Sequence, residues 1–262
     1  MEQATDFRDE SDALYALVAP LTAADLARAT PFKQWTVDHI LQHLHFFNVM
    51  ADLSLRDEDR FGREYGAMKA RRLAGETMVA VTEDLLDGLA GPALVQAWHD
   101  FSHDLAAHFA AVDPRHRVKW AGPDMSARSS ITARLMETWA HGQAVYDLLG
   151  VRRENTDRIR NVAVMGVNTY GWTFANRGLE PPGPPPHLRL TAPSGALWEW
   201  HAPRHDHLIE GPAEAFCQVV TQTRNVADTP LRVVGEPARQ WMALAQCFAG
   251  PPHDPPAAGV RG

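Results

Sequence analysis

Leu135-Met136-Glu137-Thr138-Trp139-Ala140-His141-Gly142 is the stretch on which the reading of this chain turns. Ser129-Ser130 precede it and Gly150 follows, and Leu135, Trp139, Val145 and Leu149 recur at helical spacing. On a helix, Glu137 and His141 lie one turn apart on the same face. A carboxylate and an imidazole so placed can share one divalent ion and leave positions for a third protein ligand and for water or substrate. Met136 and Trp139 flank the glutamate, so its helix has little polar face, and a buried carboxylate needs a partner. The segment Trp35-Thr36-Val37-Asp38-His39-Ile40-Leu41-Gln42-His43-Leu44, also helical in pattern, offers the third ligand. His43, Glu137 and His141 together make an open two-histidine, one-glutamate site of the catalytic type.

Each residue also has a plainer explanation. Taken alone, Glu137 reads as a surface carboxylate. His39 shares a face with His43 and stands as an alternative ligand. His99 and His103 are four apart as well, but Asp100 and Asp104 beside them favour a solvated helix face, and with 13 histidines some such pairs arise by chance. Asp38 belongs to a first helical turn, where a carboxylate complements the helix dipole. Asp147 falls on a different face from His141, which suits a cap or a structural bridge.

Around the motif the pattern is helical up to about residue 150. Ser11 to Val18 places Leu14, Leu17 and Val18 on one face and ends before Pro20. Thr36 is a good N-cap for a helix carrying Leu41, Leu44, Phe47 and Met50. Gly75 to Leu89 repeats apolar residues at helical spacing. After Gly91-Pro92, the residues Leu94, Trp98, Phe101, Leu105 and Phe109 form a clean amphipathic stripe. Such helices with no strong strand between them predict a helical bundle, whose metal sites are built from inward-facing side chains.

Beyond Gly150 the texture changes. Asn155 to Phe174 reads as one long helix, and Glu180 to Pro186 as a stiff extended connector. His187 to Thr191 and Ala196 to Trp200 alternate around Ser194-Gly195, a hairpin signal. A strand near Asp206 to Glu210, a helix from Pro212 to Arg224, a strand at Leu231 to Val234 and a closing helix from Pro237 to Phe248 complete an α+β order. The expected organisation is a helical bundle over 1–153, a helix, connector and small α+β domain over 154–250, and a disordered Pro- and Gly-rich tail over 251–262.

Composition excludes several classes. A net charge of −7 argues against binding nucleic acid through its phosphate backbone. No apolar run is long enough to span a bilayer. The N-terminus is too acidic and polar for a signal peptide, which fits a cytoplasmic protein. Cys217 and Cys247 are far apart, outside any Cys-x-x-Cys, and read as two buried thiols.

The pattern Trp35-Thr36-Val37 with His43-Leu44, then Glu137-Thr138-Trp139-Ala140-His141-Gly142 with Asp147 and Gly150, resembles the DinB-like metal-binding bundles. The branch it looks most like is that of mycothiol-dependent maleylpyruvate isomerase and its actinobacterial relatives, within which this chain resembles a sister branch to which the isomerase's substrate does not transfer. The resemblance implies zinc ligation by His43, Glu137 and His141, favouring His43 over His39 because it stands eight residues after Trp35 and directly before Leu44. It also implies a second domain resembling sterol-carrier folds, which contributes an arginine; Arg224 is the candidate by position. Asp57 to Gly75 and the Phe174 to Pro186 connector match nothing in the isomerase. A three-ligand zinc lowers the pKa of a bound thiol or water. The implied function is therefore a zinc-dependent enzyme that uses a low-molecular-weight thiol such as mycothiol and an electrophilic small molecule, of S-transferase or isomerase type. The alternative is a non-catalytic protein that binds a metal or an apolar ligand, a reading favoured by the tryptophans near the hairpin.

Overall fold

A computed structural model of the chain describes residues 1–120 and 122–261. The chain divides into two compact units, Met1–Arg152 and Arg153–Gly262. The first holds α1 (Glu2–Val18), α2 (Ala23–Leu26), α3 (Val37–Arg56), α4 (Glu58–Leu73), α5 (Met78–Leu85), α6 (Gly91–Ala110), a short hairpin of β1 (Arg117–Val118) and β2 (Met125–Ser126), and α7 (Ala127–Leu149).

Helices α1, α3, α6 and α7 pack on one another as the four-helix core. Their ends are set by local chemistry. Thr36 caps α3 through a reciprocal capping box, Ser126 accepts from Ser129 N at the start of α7, and α7 stops at Gly150 in the left-handed conformation. The apolar stripe expected on α6 faces inward, with Leu94, Trp98, Leu105 and Phe109 buried. Leu94 and Trp98 cluster with Leu14 of α1, Ile40, Leu41 and Leu44 of α3, and Val145 of α7. Burying such side chains contributes about 1.5–3 kcal/mol each.

The region from Asp57 to Gly75, left unplaced by the sequence, is the helix α4. Only Phe61 and Met68 bury completely from it, against Phe46, Met50 and Leu53 of α3 and Val81 of α5. The rest of α4 is solvated and charged, so it carries little amphipathic signal. Arg71 at its end pairs with Glu76 and Asp84, each at 2.6 Å.

The second unit opens with a 3-10 turn at Asp157–Ile159, then α8 (Arg160–Asn168) and α9 (Tyr170–Ala175). The single helix expected over 155–174 is therefore broken. The break falls at Thr169, whose hydroxyl bonds back to the carbonyls of Met165 and Gly166. Such back-bonding competes with the regular ladder. Strands β3 (His187–Thr191), β4 (Leu197–Trp200), β5 (Leu208–Pro212) and β6 (Arg232–Val234) form one sheet in the order β4-β3-β5-β6, antiparallel except for β3 beside β5. Between them lies α10 (Ala213–Val220), and α11 (Glu236–Leu244) closes the unit. The last two helices are shorter than their apolar patterns suggest: α10 ends four residues before Arg224, and α11 ends before Gln246. After Gly250 the described chain has no helix or strand, but side chains fasten it to the second unit. His253 N donates to Gln246 Oε1 at 3.0 Å, and Asn225 Nδ2 donates to Pro256 O at 2.8 Å. Composition alone gives no sign of this fastening.

Gly166 shows how tightly α8 meets α10. A Cβ at this position would lie 2.8 Å from a Val220 methyl and 3.0 Å from the Phe216 ring. Gly166→Ala is therefore expected to destabilise the protein by about 1–3 kcal/mol through overpacking, read as a lower urea midpoint. An unchanged midpoint would mean that Val220 and Phe216 can give way.

Candidate metal centre

Two helices of the first unit bring the expected ligands together. Glu137 and His141 stand one turn apart on α7, and His43 reaches them from α3. The Nε2 atoms of His43 and His141 lie 3.4 Å and 3.1 Å from the same oxygen, Glu137 Oε2. One ligand atom from each of the three residues falls within 4.8 Å of the others. All three side chains are largely buried.

The His43 separation fits a shared ion, and the shorter His141 contact, an ordinary hydrogen-bond length, would have to open slightly. A tetrahedral zinc with ligand bonds of about 2.1 Å holds its donor atoms about 3.4 Å apart. The His43 contact is long for an N–H···O hydrogen bond, which is commonest near 2.9 Å. The donor set of two imidazoles and a carboxylate suits zinc, and it also accepts other divalent transition metals.

Burial lowers the His43 pKa to about 4, overriding the raising effect of its contact with Glu137. Burial alone would raise the Glu137 carboxyl, but the hydrogen bonds and charges of His141 and His43 outweigh it and hold the group well below the usual carboxylate range. The resting site thus pairs a neutral imidazole on α3 with an ionised carboxylate on α7.

Aromatic rings fix the imidazoles. Trp35 stacks on His141 with centroids 6.0 Å apart and planes 2° from parallel, and Phe32 meets the same ring edge-on at 5.0 Å. His43 sits between Trp35 and Phe47. Its Nδ1 is buried with no hydrogen-bond partner among the described residues, so on that side packing alone holds the ring.

The Phe32-Lys33-Gln34-Trp35 turn carries two of these rings. Trp35 N donates to Phe32 O at 2.9 Å, and Lys33 and Gln34 both take positive φ, 50° and 59°. That is the primed turn in which glycine or asparagine is usual. Gln34→Gly relieves the left-handed strain and is expected to stabilise the protein by about 1 kcal/mol net of glycine's larger chain entropy. A thermal midpoint below the wild-type value would contradict this.

The structure separates His39 from His43. His39 Nδ1 accepts from Thr36 N at 3.2 Å, closing the capping box of α3, while His43 faces Glu137. Asp38 Oδ1 accepts from Gly91 N at 2.9 Å, joining the start of α3 to that of α6, and Asp147 accepts from Gln143 at 3.0 Å. Arg224 lies in the second unit, in the turn after α10, where its guanidinium donates to Thr223 O at 2.9 Å.

Sequence reasoning missed a buried polar chain beside the centre. Arg134, one turn before Glu137, is 2% exposed and donates through Nε to Asn48 Oδ1 at 3.0 Å. Asn48 Nδ2 donates to Ser102 Oγ at 3.2 Å, and that hydroxyl donates to Trp98 O at 2.8 Å. Burial lowers the Arg134 pKa to about 10, and the Glu137 charge opposes that shift. Arg134 Nη2 has no hydrogen-bond partner among the described residues. Its polar character inside the apolar face of α7 was the available signal.

Helices α3 and α7 of the four-helix core thus bring two imidazoles and a carboxylate together in an arrangement that could hold a metal ion. Residues 7–146, just over half of the chain, match the family described as the mycothiol maleylpyruvate isomerase N-terminal domain, and the chain belongs to that family. It is 40% identical over 247 residues to the uncharacterized proteins Rv0036c and MT0041, from two strains of Mycobacterium tuberculosis. These matches cover 94% of this chain and 95% of each relative. Among solved structures, mycothiol-dependent maleylpyruvate isomerase is similar with a TM-score of 0.52 and 16% identity, over 83% of this chain and 87% of that one. A mutant of the same isomerase aligns with a TM-score of 0.51 and 17% identity, over the same shares of the two chains. At this identity the likeness is one of fold. No helix among the described residues is long and apolar enough to cross a membrane.

Proposed function

We propose that the protein is a zinc-dependent enzyme that joins a low-molecular-weight thiol, mycothiol in the first instance, to an electrophilic small molecule, as an isomerase or S-transferase. The observation that carries this reading is the convergence of His43 Nε2, His141 Nε2 and Glu137 Oε2 to within reach of one ion, in a chain of the mycothiol maleylpyruvate isomerase family. Zinc held there by three protein ligands would supply Lewis acidity, lowering the pKa of a thiol or water that fills an open position. The chain's own residues do the rest. His43, His141 and Glu137 hold the donor atoms in place, and Phe32, Trp35 and Phe47 line the imidazoles with apolar surface. Such a lining strengthens electrostatic interactions at the site. Arg224 is the candidate to bind a carboxylate of thiol or substrate bidentately, a role that rests on the family resemblance.

The test is consumption of mycothiol by the zinc-loaded protein with a panel of electrophiles that includes maleylpyruvate. Zinc-dependent loss of free thiol with at least one electrophile, or isomerisation needing catalytic thiol, is the expected result. No metal-dependent turnover across the panel would overturn the enzyme reading. The same zinc-loaded protein with a stable bound ion would then stand as a metal-binding module.

A further inference from the structure

We propose that Asp12, His99 and His103 form a second binding site for a divalent transition cation, at the solvent-accessible seam where α1 packs against α6. His99 and His103 stand one turn apart on α6, and Asp12 comes from α1. Their Nε2 atoms lie 2.8 Å and 2.6 Å from one oxygen, Asp12 Oδ1. One ligand atom from each residue falls within 4.8 Å of the others, as in the buried centre.

The two clusters repeat one geometry. The His99 and His103 rings have centroids 4.6 Å apart at 60°, and so do the His43 and His141 rings. In each, two Nε2 atoms from imidazoles share a single carboxylate oxygen supplied across or along a helix. Here both histidines are on one helix and the carboxylate crosses over, the contacts are shorter, and Asp12 and His103 are more exposed. The second cluster is also held in place. Tyr15 stacks on His99 with centroids 3.7 Å apart, and the Tyr15 hydroxyl donates to Gln96 Oε1 at 3.0 Å.

The contacts to Asp12 are as short as good hydrogen bonds, so a tetrahedral ion requires the donors to open to about 3.4 Å. Asp12 and His103 can do this, because each side chain is 43% exposed. Two imidazoles and one carboxylate select zinc, nickel or copper(II) over magnesium or calcium, which take oxygen ligands. Exposure leaves the remaining positions to water, and a bound ion would tie the N-terminal helix to α6.

This site is independent of the thiol reading, and zinc itself is the probe that tests it. Bound zinc per chain is measured by mass spectrometry after equilibrium dialysis at fixed free zinc. The comparison covers wild type, a Glu137→Ala/His141→Ala variant, His103→Gln and Asp12→Asn, with exposed His116→Gln as control. The expected result is two zinc ions in wild type and in the control, one in the Glu137/His141 variant and one in each of the other two. The second site is overturned if the Glu137/His141 variant binds none, or if His103→Gln and Asp12→Asn bind as much as wild type. One ion in wild type that is lost in His103→Gln and kept in the Glu137/His141 variant would support the second site while sinking the first.

Discussion

Glu137→Gln is expected to lower zinc affinity at the buried centre by at least ~100-fold and metal-dependent thiol turnover by a similar factor. Loss of a partner outside the ligand set typically costs 10–100-fold, and Glu137 supplies the oxygen that both imidazoles face. Glutamine keeps the side chain's shape but removes the charge that balances a divalent ion. The loss should therefore appear in zinc content and turnover while far-UV circular dichroism stays unchanged. His43→Ala and His141→Ala should behave alike, since each removes one of the two imidazoles. His39→Ala should instead keep the zinc and lose about 1 kcal/mol of stability, because its imidazole completes the cap of α3. Zinc retained by Glu137→Gln at wild-type affinity would remove the metal centre from this position.

Asn48→Ala is expected to destabilise the protein by about 2–4 kcal/mol through its two buried hydrogen bonds. Asn48 is fully buried and is the residue that accepts from Arg134 Nε. Removing it leaves a buried guanidinium without that acceptor, and losing a buried hydrogen bond to a charged group costs about 1.5–3 kcal/mol. It also strands the Ser102 hydroxyl as an acceptor. The double variant Asn48→Leu/Arg134→Met removes charge and partner together and should recover most of the loss, as apolar replacements of buried polar networks commonly do. Urea unfolding of the full chain measures both. A double variant no more stable than Asn48→Ala would show that the cost comes from lost packing and not from the stranded charge.

How far the sequence spoke depended on the range of the interactions. Helices α3, α6 and α7 were legible because their periodicity and caps are local: Thr36, Pro92 and Gly150 mark their ends. Helix α4 was not, because only Phe61 and Met68 bury completely and the rest of its surface is solvated and charged. The break at Thr169 was hidden for another reason, since a threonine inside a helical pattern does not announce which way its hydroxyl turns.

The candidate site was legible as a short list of residues. Spacing alone left the choice between His39 and His43 open and only the family resemblance favoured His43, because the usual capping-box partner is Glu or Gln and here it is a histidine. Apart from the His43–Glu137 pairing, contacts between distant helices stayed out of reach. Arg134 meets Asn48 across 86 positions of sequence, and Asp12 meets His103 across 91. Before the fold was known, His99 and His103 looked like a solvated face beside Asp100 and Asp104. In the structure their Nε2 atoms turn to Asp12.

The central claim is that one ion sits among His43, Glu137 and His141. An anomalous difference map from crystals of the zinc-loaded protein, collected on either side of the zinc edge, tests it most directly. A peak about 2.1 Å from His43 Nε2, His141 Nε2 and a Glu137 oxygen, present above the edge and absent below it, is the expected result. Ordered zinc-loaded crystals with no peak among these three side chains would contradict the metal centre and the thiol chemistry that depends on it.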